Sequence, residues 1–348
     1  MTYIIIDAAS LACPRAGDLP QATRHAVVGR YVSRLADLSR LRTTCRSTAF
    51  LRDKQLPMTL HELGCYPFRA SLNEALSLCS DEFDVQIEDV NRLANFLVER
   101  SDLIEDIGGY RDVAVEKCCV TPEFQAAPPP RLLAQLTRMM ALVALAKESF
   151  GRRCQNMFLV TGLVPDSQGQ LSFHIVVTLA ERQDGSIVEL AHPLSITVPI
   201  YADTVGFLRS LNVSVLLQQA DVDALIDSCV AVAVRDEAEP DVRALTLSSQ
   251  TNVGKDFLQS ASRLGFLHEP SKILRLLRAC ADILLGRNLA KSHHLRTGEG
   301  ANNPQRMRGD FGAWRHDLDD EFHLHYWRKG STVEFANIVV HKDFDITY

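Results

Sequence analysis

Several signatures are missing from this chain. No CxxC pair, HExxH, GxSxG or GxGxxG occurs, and Gly254-Lys255 lacks the upstream glycine of a phosphate-binding loop. These absences exclude the common zinc, hydrolase and dinucleotide fingerprints. The expectation is therefore of chemistry without a metal or cofactor. No stretch approaches ~20 uninterrupted apolar residues, so no membrane-spanning helix is expected. Tyr3-Ile4-Ile5-Ile6 is followed at once by Asp7, which is too short an apolar run for a secretory leader. The nine cysteines are scattered in a 348-residue chain, which suits reduced thiols in a cytoplasmic protein. Aromatic residues are sparse at 7%, with only two tryptophans, Trp314 and Trp327.

What remains is ordinary in bulk and uneven in detail. A hydrophobic fraction of 46% beside 23% charged residues is that of a globular protein long enough for two or three cores. The net charge is -6, yet residues 251–348 carry 14 Lys and Arg against 12 Asp and Glu. A mildly basic C-terminal part behind an acidic body suits a module that faces a polyanion.

The spacing of apolar residues divides the chain into three expected domains, 1–125, 131–240 and 251–348. The first reads as α/β: strand 3–7, a helix over 21–41, a second strand over 44–51, and a helix pair over 71–78 and 86–99. Asp84 is the expected N-cap of the second of these helices, and a strand follows over 112–120. The run Ala126-Ala127-Pro128-Pro129-Pro130 reads as a linker. An apolar helix over 132–150 follows, with Met139, Met140, Leu142 and Leu145 as core. An antiparallel meander over 156–164, 171–181 and 186–190 then completes an α+β middle domain together with helices over 203–211 and 221–234. Pro165-Asp166 marks a turn, and Glu237–Pro240 a second boundary.

The C-terminal part concentrates the chemistry. Helical stripes begin at Asp256 and after Glu269-Pro270-Ser271, and the polar loop 293–304 follows. Beyond it the period changes to two. Ala313, Arg315, Asp317 and Asp319 fall on one side, and Trp314, His316, Leu318 and Asp320 on the other. Phe322, Leu324 and Tyr326 oppose His323, His325 and Trp327. After the Lys329-Gly330 turn, residues 332–340 form a last strand. Histidines two apart on a strand share a face with side chains roughly 7 Å apart, and His341 at a neighbouring strand end can approach them. Histidine titrates nearest neutrality, so it can act as base or acid. RNA cleavage without a metal needs a base for the 2′-hydroxyl, an acid for the leaving 5′-oxygen and cations at the phosphate. His323, His325, His341 and Arg315 are the candidate catalytic residues. Arg308, Arg328 and Lys342 are candidate phosphate contacts, Trp327 a candidate for stacking a base, and Trp314 a candidate core residue.

The segments Met307-Arg308-Gly309, Gly312-Ala313-Trp314-Arg315-His316-Asp317-Leu318, Glu321-Phe322-His323-Leu324-His325-Tyr326 and Val340-His341-Lys342-Asp343-Phe344 carry a likeness. Over about residues 255–348 the chain resembles the RelE/ParE toxin superfamily, most closely its YoeB and RelE ribonuclease branch. The resemblance implies a RelE-like module of two helices on an antiparallel sheet that cleaves mRNA, on the ribosome in some members, and is restrained by an antitoxin. His323 and Asp317 stand where that branch carries arginines. Fused to a larger body, such a module resembles an antiviral defence effector. RNA or the ribosome would be its substrate, and an antitoxin, a defence-complex protein or a second copy of the chain its partner. A RelE-like fold kept only for binding is the alternative. A third reading places a PIN-type metal nuclease at Asp7, with Glu62, Glu74 and Asp106 as further ligands.

Overall fold

The computed structural model describes residues 2–15, 19–77, 87–150, 156–163, 169–217, 221–236, 242–298 and 302–347. These are mixed α/β with three sheets, divided into two compact units. The first holds residues 1–41 and 48–206; the second holds 42–47 and 207–348. Asp84, Pro165-Asp166 and Glu237–Pro240 lie outside the described residues. No helix among the described residues is long and apolar enough to cross a membrane.

The first unit contains β1 (Thr2–Ile6), α1 (Ala8–Leu11), α2 (Gln21–Thr44, which runs on into the second unit), β2 (Thr48–Arg52), α3 (Leu56–Glu62), α4 (Arg69–Ser77), α5 (Ile87–Asn95), β3 (Asp102–Leu103) and α6 (Ile104–Gly108). It continues with β4 (Tyr110–Thr121), α7 (Pro130–Phe150), β5 (Met157–Val160), β6 (Gln170–Arg182), β7 (Ile187–Glu189) and β8 (Leu194–Pro199). Helix α8 (Thr204–Ser210) leads out of it.

β1 is a run of isoleucines buried on both faces, which is what the middle of a parallel sheet requires. The order β3-β2-β1-β5 is parallel throughout. The fourth strand is thus β5, with Tyr3 opposite Met157, rather than part of a meander. β6 instead takes β4 along its whole length on one side, and β7 and β8 on the other.

These pairings change the expected domain division. β4 precedes the proline run and β6 follows it, yet they are hydrogen-bonded neighbours. Pro130 is therefore the first residue of α7 inside one unit, where proline's missing N–H is harmless. Leu136, Met139, Met140, Leu142 and Val143 of α7 are buried in a single core with Ile5, Leu51 and Leu159 of one sheet and Phe173, Ile175 and Ile196 of the other.

The second unit contains α9 (Val213–Leu217), α10 (Val222–Arg235), α11 (Leu247–Gln250), β9 (Thr251–Val253), α12 (Phe257–Arg263), α13 (Pro270–Leu285), β10 (Ser292–His294), β11 (Met307–Arg308), β12 (Phe311–Asp317), β13 (Phe322–Lys329) and β14 (Thr332–Val340). α10 is buried nearly all round and includes Asp227. That carboxylate accepts from the N–H groups of Arg46 and Ser47 and from the Ser47 hydroxyl. Its sheet has the order β10-β12-β13-β14-β9, antiparallel except that β9 runs parallel to β14. Gly330, at φ 58°, makes the tight turn between β13 and β14, where a side chain would be strained. Pro270 opens α13 and Gly286, at φ 70°, closes it. Phe266 and Phe257, from the helical segment, pack on Phe322 and Phe335 of one sheet face.

Candidate active site in the second unit

Register decides which side chains meet. β12 and β13 pair Ala313 with Trp327, Arg315 with His325, and Asp317 with His323, so these six share one face. A β-bulge on β14 between Phe335 and Asn337 leaves Ala336 unpaired, and residues 343–347 cross this same face.

That crossing divides the face in two. At one end Trp327 is fully buried and donates its indole N–H to the Thr347 carbonyl at 2.8 Å. His325 is also fully buried, with Nδ1 2.8 Å from the Asp345 carbonyl oxygen. Burial holds the His325 pKa down at about 4, so the ring is neutral near pH 7. Neither side chain can reach a substrate. The stacking role expected of Trp327 and the catalytic role expected of His325 are therefore corrected by the structure. The two tryptophans have exchanged places: Trp327 is the core residue, and half-buried Trp314 lies against His294 and Tyr326.

The other end stays open. His323 Nδ1 lies 3.0 Å from Asp317 Oδ1, an ion-pair distance somewhat off the ideal hydrogen-bond line. His323 Nε2 lies 3.1 Å from Nδ1 of His341, and His341 is exposed. Burial lowers the His323 pKa while the Asp317 charge opposes that shift. With His323 neutral and its Nδ1–H kept on the Asp317 side, Nε2 presents a lone pair. His341 then donates from Nδ1, and its own Nε2 carries the outermost lone pair. The result is a chain from carboxylate to imidazole to imidazole, ending on the exposed ring.

The chain borders a cavity of about 480 Å³ lined by Lys291, Arg315, Asp317, Asp319, His323 and His341, among others. Arg315 places its guanidinium 5.8 Å from the Phe344 ring centroid, and its buried Nε has no hydrogen-bond partner. His293 approaches the other Asp317 oxygen at 3.4 Å. Among the described residues, no group of three or more His, Cys, Asp or Glu side chains is arranged to hold a metal ion.

The remaining candidates lie apart from this chain. Arg308 is clamped by Glu334 at 2.7 and 2.6 Å and lies over the buried Trp327 ring, so its donors face a carboxylate rather than a phosphate. Arg328 alternates to the opposite sheet face and bonds the Gly330 carbonyl. Lys342 is exposed in the turn after β14, next to His341. The sequence reading missed Asp317, Lys291 and His293 as site residues. The signal for Asp317 was present, since alternation places it on the Arg315 side. Lys291 ends a short 3-10 turn and His293 sits in β10, a three-residue strand too short to show a period, opposite Arg315.

The acidic residues considered for the first unit do not converge. Asp7 is fully buried, caps α1 through the Ser10 N–H and accepts from Thr161. Glu62 pairs with Arg131, while Glu74 and Asp106 are exposed. Asp53, Glu105 and Asp112 do come together, but around Arg138 at 2.9, 3.0 and 2.9 Å. Gln135 bridges Asp53 to the Ala8 N–H.

Compared with known proteins, the chain matches no family model, no curated protein and no solved structure.

Proposed function

We propose that the second unit cleaves RNA by acid–base chemistry within a cytoplasmic, RelE-like defence effector whose remaining parts restrain or trigger it. The observation that carries this reading is the Asp317–His323–His341 chain ending at a cavity. The element order also supports it, with two helices and a loop ahead of three antiparallel strands. His341 Nε2 takes the proton of a ribose 2′-hydroxyl, and the 2′-oxygen attacks the adjacent phosphorus. His323 and Asp317 hold the ring in the required tautomer and stabilise the imidazolium that forms. Arg315 compensates charge gathering on the phosphate. The P–O5′ bond breaks, and the His341 imidazolium is the nearest proton source for the leaving 5′-oxygen. The products are a 2′,3′-cyclic phosphate and a 5′-hydroxyl.

A binding-only module is the second reading, and one observation favours it. Arg308 and Trp327, the side chains best suited by type to hold RNA, are both occupied within the fold. Incubating the full-length protein with RNA in the presence of EDTA separates the two. Fragments bearing cyclic phosphate ends, lost in His323→Ala and His341→Ala, support the ribonuclease. RNA that stays intact with wild type, alone and on ribosomes, removes it and leaves the binding module.

A further inference from the structure

A second cavity of about 480 Å³ lies beside the first, lined by Arg275, Arg278, Asp282, Asn288, Lys291 and His316, among others. Lys291, Asp317 and Leu318 line both cavities, which therefore meet at the end of β12, one on the His316 face of the strand and the other on the Asp317 face. α13 offers Arg275 and Arg278 one turn apart on the side of this second cavity.

Charge along the two cavities is mixed, and its pairing decides what they can hold. Arg275 is committed to Asp319, Arg278 lies 3.5 Å from Asp236, and Asp282 accepts from Asn288. Asp317 is held by His323, by His293 and, at 3.9 Å, by Arg315, while exposed Asp320 at the same cavity makes no ion pair among the described residues. Lys291 is exposed where the cavities meet, and it makes no ion pair among the described residues. Its position is set by the connection after Gly286: Asn288, at φ 49°, opens the short 3-10 turn 289–291, which ends at Lys291 just before β10. A duplex, with one charge per ~1.7 Å of axis, would meet the acids of the cavities at close spacing. A single strand carries half that density and can place one phosphate at the one uncommitted ammonium.

We propose that the adjoining cavities bind a single RNA strand and that Lys291 grips the phosphate next to the bond attacked by His341. This rests on the ribonuclease reading and adds to it the strandedness of the substrate and the residue that positions it. Lys291 is a positioning residue, and none of the expected phosphate contacts Arg308, Arg328 and Lys342 lines either cavity.

The test uses full-length protein and a fluorescein-labelled ten-nucleotide RNA with 2′-O-methyl riboses, which cannot be cut through the 2′-hydroxyl. Anisotropy titrations over a range of salt give affinity and its salt dependence. Lys291→Ala should weaken binding several-fold and reduce the slope of log K against log salt by ~0.7, the value for one phosphate contact on a single strand. Lys291→Arg should restore both, and Lys117→Ala, an exposed change in the first unit, should alter neither. A hairpin duplex of the same composition should bind more weakly than the strand. Equal affinity and slope for Lys291→Ala and wild type would overturn the proposal, as would duplex binding as tight as strand binding. If wild type cleaves RNA in EDTA while Lys291→Ala binds normally, only this inference falls. If wild type neither binds nor cleaves RNA, both readings fall together.

Discussion

Each unit buries a cluster of ionisable groups, and the two clusters end differently. In the first, Arg138 is surrounded by Asp53, Glu105 and Asp112, and Gln135 ties the group to the backbone beside β1. Nearly every donor and acceptor has a partner inside the cluster. In the second, Asp317 and His323 are held within the sheet, but the chain continues to His341 at the surface. A closed cluster can only fix a conformation. An open one can exchange a proton with a bound molecule. Asp112 also reaches solvent, but its oxygens are taken by Arg138 and Lys54, whereas exposed His341 has only its Nδ1 engaged, so the same residue types divide into structure and chemistry according to whether the exposed member keeps a proton site open.

The sharpest way to break this comparison is through activity. His323→Ala should reduce RNA cleavage by on the order of 10²–10⁴-fold, and Asp317→Asn, which cannot hold the same tautomer, by a similar order. Asp317→Asn should melt close to wild type, whereas His323→Ala removes a buried ring and should cost about 1–3 kcal/mol, so activities are compared at a temperature where both variants stay folded. Cleavage that survives either change would show the open chain to be as inert as the closed one.

Next in size is the closed cluster itself. Arg138→Met leaves three carboxylates buried or half-buried without their cation and should destabilise the first unit by about 3–5 kcal/mol. Chemical denaturation measures this. A loss below about 1 kcal/mol would mean that the cluster contributes little.

A third test uses pH within the second unit. Burial holds His325 down at about 4, so the unfolded chain binds the extra proton first. Its contribution to stability is complete above about pH 6.5 and is lost as pH falls towards 4. Asp227 has the opposite sign. Burial raises its pKa to about 6, so its folded state is favoured at low pH and loses stability as pH rises from about 4 through 6. The two are comparable, at about 3 kcal/mol each, and offset one another between pH 4 and 6. His325→Gln should therefore melt at lower temperature as pH rises through this window, and Asp227→Asn at lower temperature as it falls. Thermal scans at pH 4.5, 5.5 and 6.5 read the slopes directly, and parallel profiles for the two variants would refute the assignment.

The smallest effect expected is at Arg308. Its pair with Glu334 is partly exposed, so Arg308→Ala should cost about 1 kcal/mol or less. Because its donors already face that carboxylate, RNA cleavage should change little. A large loss of activity would return Arg308 to the site.

How much of this was legible in the sequence follows from the range of each interaction. β1, α7, α13 and the three strands β12 to β14 were readable because a strand or helix imprints its own period on its residues. The side sharing of Arg315 and Asp317 was readable for the same reason. The burial of Trp327 and His325 was not. It depends on residues 343–347 crossing the sheet, and a crossing leaves no periodic mark on the strand it covers. The domain boundary at the proline run failed similarly. Proline reports that the local backbone is stiff, whereas membership of a unit depends on β4 finding β6 about fifty residues later.

The sequence by itself determined the elements, the residue types available for proton transfer and the strand face on which they stand, since all of these are set within a few residues. Only the tertiary structure decided which histidine stays open to solvent, which arginine is already paired and where a free lysine meets the cavity. Those outcomes depend on what is packed against each side chain, and that is a property of distant parts of the chain.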